Sequence, residues 1–172
     1  GCSPLSVTFS NQSTGANSYS WNFGDGNTST QQSPTYTFVH TSLSDTFYVV
    51  KLVAMSTFGC LDSVSDTIVV MGNPVSSFVS DAVLDCAPLE VNFTDSSSVA
   101  INWMWDFGDS TGSTAQNPTH TFENTTQFIT NYTVNLIVTA PNGCTDTSSE
   151  SIAVYPEPLY NFTMVPDQGC SP

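Results

Sequence analysis

The sequence predicts an all-β chain made of tandem two-sheet sandwiches, and three observations carry that expectation. β-Branched and aromatic residues dominate the apolar set while Ser, Thr, Asn, Gly and Pro fill the rest, which is strand-and-turn chemistry. No segment sustains an apolar stripe at helical spacing over three turns, so little or no helix is expected. The chain also repeats itself: Cys2, Cys86 and Cys170 are spaced 84 residues apart, as are Cys60 and Cys144, and laying each residue on its repeat needs no gap.

The elements follow from the repeat in order. Pro4, Leu5, Val7 and Phe9 fall on Pro88, Leu89, Val91 and Phe93; Trp21, Phe23, Gly24 and Asp25 fall on Trp105, Phe107, Gly108 and Asp109. Pro34, Thr35, Thr37 and Phe38 match Pro118, Thr119, Thr121 and Phe122, and Tyr48, Val50 and Leu52 match Tyr132, Val134 and Leu136. Within the second repeat, strands are expected near 75–80, 89–94, 101–107, 117–122, 131–140 and 147–154, with turn signals between them. Alternation puts Leu89, Val91 and Phe93 on one face, and likewise Trp103, Trp105 and Phe107, and these faces should meet as core.

Short joints, "GNP" at 72–74 and "PEP" at 156–158, mark the boundaries, each followed by an alternating run. Residues 1–72 then read as a repeat lacking its first strand, 73–157 as a complete repeat, and 158–172 as the first strand of a following one. No secretory leader is recognisable, as expected of a mature or excised segment.

Composition removes whole classes of function. Only 9% of residues are charged, against about 25% in an average globular protein. The formal net charge is −14, with Lys51 the only basic residue besides two histidines. Such a surface is repelled by phosphate backbones and anionic lipid, so no nucleic-acid partner is expected. The longest apolar run, residues 47–55, is interrupted by Lys51 and is far short of the roughly 20 residues a membrane helix needs, so no membrane insertion is expected either.

Five cysteines in an acidic, Lys-poor, β-rich chain point to an oxidising compartment. Each repeat carries one cysteine before its second strand and one in a Gly-Cys turn before its last. The expectation is therefore one disulfide per repeat, Cys2 to Cys60 and Cys86 to Cys144, with Cys170 unpaired in this chain. A metal site is the rival, but no CxxC or Cys/His cluster exists, and His40 aligns with Asn124 while His120 aligns with Tyr36.

With "WNFGDG" and "WDFGDS" standing before "PTYTF" and "PTHTF", and with the long strands from Tyr48 and Tyr132 beyond them, the chain resembles tandem PKD domains, the polycystic-kidney-disease type of immunoglobulin-like sandwich. The resemblance covers the whole chain. Ser110 replaces the second glycine of the turn and Tyr36 replaces the usual histidine. The cysteines, Pro-rich joints and Ser/Thr/Asn surface resemble such domains in large secreted adhesins and in gliding or surface-filament proteins of Bacteroidota-type bacteria. The resemblance implies a secreted, cell-surface, non-enzymatic stalk or filament, partnered by neighbouring repeats of the same chain or by identical chains, and by surface polysaccharide. The alternative it implies is an accessory module, binding carbohydrate or protein, of a secreted hydrolase.

The sharper chemical readings are weighed against that. Calcium wants six to eight oxygens, and the turns at Asp25 and Asp109 each offer one carboxylate, so those turns read as structural; a joint site using Asp81, Asp85 or Asp167 stays open, and no other cofactor is expected. Hydrolysis needs a nucleophile with a base, paired carboxylates or a metal, and no such constellation recurs, so no catalytic residues are assigned. Asn-X-Ser/Thr sequons stand at Asn11, Asn27, Asn92, Asn124, Asn131 and Asn161, and Asp-Ser/Thr steps make Ser63, Thr67 and Ser110 candidate O-glycosylation acceptors.

Overall fold

The computed structural model describes residues 1–158, 160 and 163 and contains strands but no helix in that span. The first repeat holds β1 (Leu5–Thr8), β2 (Ser18–Asn22), β3 (Thr28–Ser29), β4 (Thr35–Phe38), β5 (Thr46–Met55) and β6 (Leu61–Val70). The second holds β7 (Phe78–Ser80), β8 (Leu84–Cys86), β9 (Leu89–Asp95), β10 (Asn102–Asp106), β11 (Gly112–Ser113), β12 (Thr119–Phe122), β13 (Thr130–Thr139) and β14 (Thr145–Tyr155). The all-β expectation holds, as does the tandem pair of immunoglobulin-like sandwiches.

Each sandwich sets a small sheet against a larger one. In the first repeat these are β1-β4 and β3-β2-β5-β6; in the second they are β12-β9-β7 and β11-β10-β13-β14-β8. The long hairpins β5-β6 and β13-β14 are the spine of each unit, in antiparallel register from Thr46↔Val70 to Met55↔Leu61 and from Thr130↔Val154 to Thr139↔Thr145.

The alternating faces meet as the sequence predicts. Leu89, Val91, Phe93, Trp105, Phe107, Phe122, Val134, Leu136, Val138, Ile152 and Val154 form the buried core of the second unit, and Trp21, Phe23, Phe38, Val50, Leu52 and Val70 that of the first. Trp103 differs: it is only partly buried, because its indole Nε1 reaches out to donate to Asp95 Oδ2 at 2.7 Å.

Two strands escaped the sequence reading. β11 is a two-residue edge, and β8 is three exposed residues without alternation. β8 nonetheless fixes the position of Cys86, because it pairs in parallel with the end of β14 and sets Cys86 opposite Tyr155. The first repeat does the same with a single parallel bridge between Cys2 and Met71.

The two small sheets are not equally complete. β7 adds to the edge of β9 and lays Phe78 on Phe93 and Trp105, with ring centroids 6.0 and 5.0 Å away. Under that cover Leu89, Val91 and Phe93 are buried. Their counterparts Leu5, Val7 and Phe9 are only half-buried, and the place equivalent to Phe78 is an open apolar cavity of about 110 Å³ against Phe9 and Trp21.

Candidate functional site

Two places concentrate the residues singled out by the sequence: the Gly-Asp turn after the Trp strand, and the joint between repeats. The turn is built alike in both units. Phe23 N–H donates to the Asn27 carbonyl and Phe107 N–H to that of Thr111, closing a tight loop. Gly24 sits at φ +84° against the Val49 backbone, where a Cβ would lie 2.7 Å from the Val49 carbonyl oxygen, so side chains are barred by space as well as by φ.

The aspartate inside the loop is used for structure. Asp25 Oδ1 accepts from Asn27 N–H at 3.0 Å, and its Oδ2 accepts from the Tyr36 hydroxyl at 2.6 Å. Asp109 Oδ1 accepts from Thr111 N–H at 2.9 Å, and its Oδ2 lies 2.8 Å from His120 Nε2. Burial pushes both carboxyls up, but the hydrogen bonds outweigh it and hold each below the ordinary value of 3.8. The carboxylates are thus spent on fastening the turn to the neighbouring strand.

The joint is where the structure corrects the sequence. Cys2 is bonded to Cys144, with Cα atoms 5.7 Å apart, so the bridge runs between repeats; Cys60 and Cys86 are free and exposed. The expected Cys2–Cys60 and Cys86–Cys144 pairs are excluded by strand length. Cys60 precedes β6 and Cys2 lies opposite Met71 at its far end, a span of roughly 35 Å at about 3.3 Å per residue. A disulfide needs Cα atoms within about 7 Å. Cys144 and Cys86 stand at opposite ends of β14 for the same reason. Cys170 lies outside the described residues.

Around the bridge the joint is hydrogen-bonded. The turn 140–144 of the second repeat reaches the first, and Asn142 Nδ2 donates to the Gly72 carbonyl at 2.8 Å. Asn73 Nδ2 donates to the Ser3 carbonyl at 2.6 Å, and Gly72 N–H donates to Asp45 Oδ1 at 3.1 Å. A Cβ at Gly72 would collide with the Leu43 carbonyl, so the linker passes too close to the first repeat for any side chain. Beyond it, Ser76 N–H donates to Asp146 Oδ2 at 2.8 Å, seating the linker on the second sandwich.

The remaining sequence candidates are scattered. Ser63, Thr67 and Ser110 are all exposed, the first two on β6 and the third in the turn at φ +73°. Asn124 is buried, with Nδ2 donating to the Phe128 and Val154 carbonyls, so that sequon is a structural plug. Of the joint carboxylates, Asp81 accepts from the backbone and side chain of Asn92, Asp85 Oδ1 accepts from Cys86 N–H, and Asp167 lies outside the described residues. Among the described residues no three His, Cys, Asp or Glu side chains converge on one point.

A family model described as PKD domain matches residues 2–71 and again 73–154. No curated protein sequence matches the chain. Among solved structures, the PKD1 domain of Vibrio cholerae metalloprotease PrtV is 29% identical, covering 48% of this chain and 98% of its own, with a TM-score of 0.40. The PKD1 domain of Vibrio anguillarum Epp is 27% identical, covering 49% and 96%, also at 0.40. Fibronectin(III)-like modules of Clostridium thermocellum CbhA align at 12% identity over 92% of this chain and 91% of theirs, with a TM-score of 0.39.

Proposed function

We propose that this chain, which belongs to the PKD domain family over both of its repeats, is a load-bearing spacer: the stalk or filament part of a secreted cell-surface protein. PKD domains are extracellular immunoglobulin-like modules and are in general non-catalytic, which suits a disulfide-bonded chain. The single observation behind the reading is the Cys2–Cys144 bond. A bond inside each repeat would reinforce modules, whereas a bond between repeats reinforces the joint, the place where a tandem array bends.

The bond also redirects force. Tension applied at the two ends enters at Cys2, crosses to Cys144 and leaves through β14, so the 142-residue interval between the cysteines is shielded from load. About thirty of the 172 residues remain extensible, roughly 100 Å at about 3.5 Å per residue, whereas the reduced chain can pay out several times that. The hydrogen bonds of Asn73, Asn142 and Gly72 brace the same joint.

Pulling single molecules from their ends tests this. The oxidised chain should release no more than about 100 Å, and the reduced chain most of its contour. Equal release in both states would remove the load-bearing role. An accessory role in a secreted hydrolase is told apart by a catalytic domain elsewhere in the parent polypeptide.

A further inference from the structure

We propose that the two outer ends of this chain are half-junctions, each shaped to take a further copy of the same repeat through the joint seen between its own two units. The inference takes the repeat as the unit of assembly, as the stalk reading does, but its test does not depend on bearing load. Cys86 is to the second repeat what Cys2 is to the first: each pairs in parallel with the residue at the far end of the long hairpin, Cys86 with Tyr155 in a short strand and Cys2 with Met71 in a single bridge. Cys2 is bonded there and Cys86 is free and exposed. Its partner is the turn cysteine of a following repeat.

The other end is complementary. Cys60 occupies the turn position of Cys144, which is bonded and buried, while Cys60 is free and exposed. Phe58 beside it stands where Asn142 contacts the linker, and it is 93% exposed. A separate observation identifies what covers this end. The mainly apolar cavity, whose lining includes Phe9, Trp21, Val50 and Ile68 alongside Ser65 and Asp66, lies where β7 covers the second repeat. An opening strand carrying a residue like Phe78 would fill it, since in the second repeat Phe78 rests on Phe93 and Trp105, the counterparts of Phe9 and Trp21. Such a strand leads out of a preceding repeat, and the same repeat offers the strand-end cysteine that bonds Cys60.

Closing each half-junction joins two thiol sulfurs, releases two protons and passes two electrons to a disulfide oxidant such as oxidised glutathione, which leaves as two thiols. In an array every joint is then covalently crossed, and no bond lies within a single repeat.

The test lengthens the chain by one copy of residues 73–156 inserted between Pro156 and Glu157. The added copy carries Cys86→Ser and, as a mass marker beside its turn cysteine, Thr145→Ser. After alkylation and digestion without reduction, Cys86 should be linked to the marked turn peptide and lose its maleimide reactivity, with Cys2–Cys144 retained and Cys60 alkylated. Cys86 left alkylated, or linked to Cys144 of its own repeat, would overturn the proposal. A Cys60–Cys86 link between separate chains would be the same joint made between molecules and would support it. A second arm places a copy of residues 73–84 before Gly1: the melting temperature of the first repeat should shift upward, and Phe78→Ala in the added segment should abolish the shift. No shift with the unmodified segment would overturn the groove assignment.

Discussion

His120 stacks on Phe107 with ring centroids 4.1 Å apart and planes 1° from parallel, and its Nε2 meets Asp109 at the same time. Tyr36 repeats the arrangement on Phe23 and Asp25, at 3.9 Å and 6°. One flat ring thus spans from the core to the turn in each repeat, and a hydroxyl or an imidazole nitrogen serves equally at its tip. Exchanging them, Tyr36→His or His120→Tyr, should change stability by less than about 1 kcal/mol. Tyr36→Ala or His120→Ala loses both the stacking and the charge-assisted bond and should cost about 2–4 kcal/mol in denaturant unfolding. Equal costs for exchange and truncation would show that the tie is not the stabilising feature.

Acid should loosen both turns. Asp25, Asp95 and Asp109 are all held below the ordinary carboxyl value of 3.8 by hydrogen bonds that overcome burial. A depressed folded pKa gives stability that is present above the unfolded value and lost as pH falls through the folded one. Melting temperature should therefore hold near neutrality and fall below about pH 4, and Asp109→Asn should flatten the fall for the second repeat. At the alkaline end the repeats should differ. Hydrogen bonding to Asp25 raises the Tyr36 hydroxyl above 10.0, and its stabilisation is complete below that value and lost as pH climbs through the raised one. His120 in the second repeat has no hydroxyl to ionise, so only the first repeat should soften above about pH 10 by this route.

Ser110 stands at φ +73° where the first repeat has Gly26 at +94°. A left-handed non-glycine residue costs about 1–2 kcal/mol, partly offset because glycine loosens the unfolded chain by about 0.4–1 kcal/mol. Ser110→Gly should accordingly raise stability by about 0.5 kcal/mol, read as a shift in the denaturant midpoint at unchanged slope. A loss of stability would mean that the Ser110 side chain has a role in the turn beyond its backbone angle.

Asn124→Ala should be among the more damaging polar substitutions. It strips a donor from two carbonyls, Phe128 and Val154, and an acceptor from Thr126 N–H. A cost of about 2 kcal/mol is expected from the unsatisfied groups. Its amide nitrogen is already engaged and buried, so Asn124 should remain unmodified in folded protein while exposed Asn27, Asn92 and Asn131 stay accessible; a glycan on Asn124 in intact-mass mapping would refute this.

The sequence spoke clearly where periodicity and side-chain pattern carry the information. Leu89, Val91 and Phe93, or Trp105 and Phe107, alternate because one sheet face is core, and they are buried as expected. The cysteine pairing was hidden because the period says which cysteines are alike without saying where each lies along a strand. β8 was the missing piece: Leu84, Asp85 and Cys86 are exposed and show no alternation, yet their parallel register with β14 puts Cys86 and Cys144 at opposite ends of the sandwich. One signal was available. Both turn cysteines immediately precede a strand of ten or eleven residues, too long for a bond to return to that strand's far end.

Peptide mapping of the 172-residue chain, alkylated under oxidising conditions and digested without reduction, bears hardest on the joint. One linked pair containing Cys2 and Cys144 should appear, with Cys60 and Cys86 both alkylated. A Cys2–Cys60 pair together with a Cys86–Cys144 pair would mean that the repeats are stapled internally and that the joint between them is not covalently held.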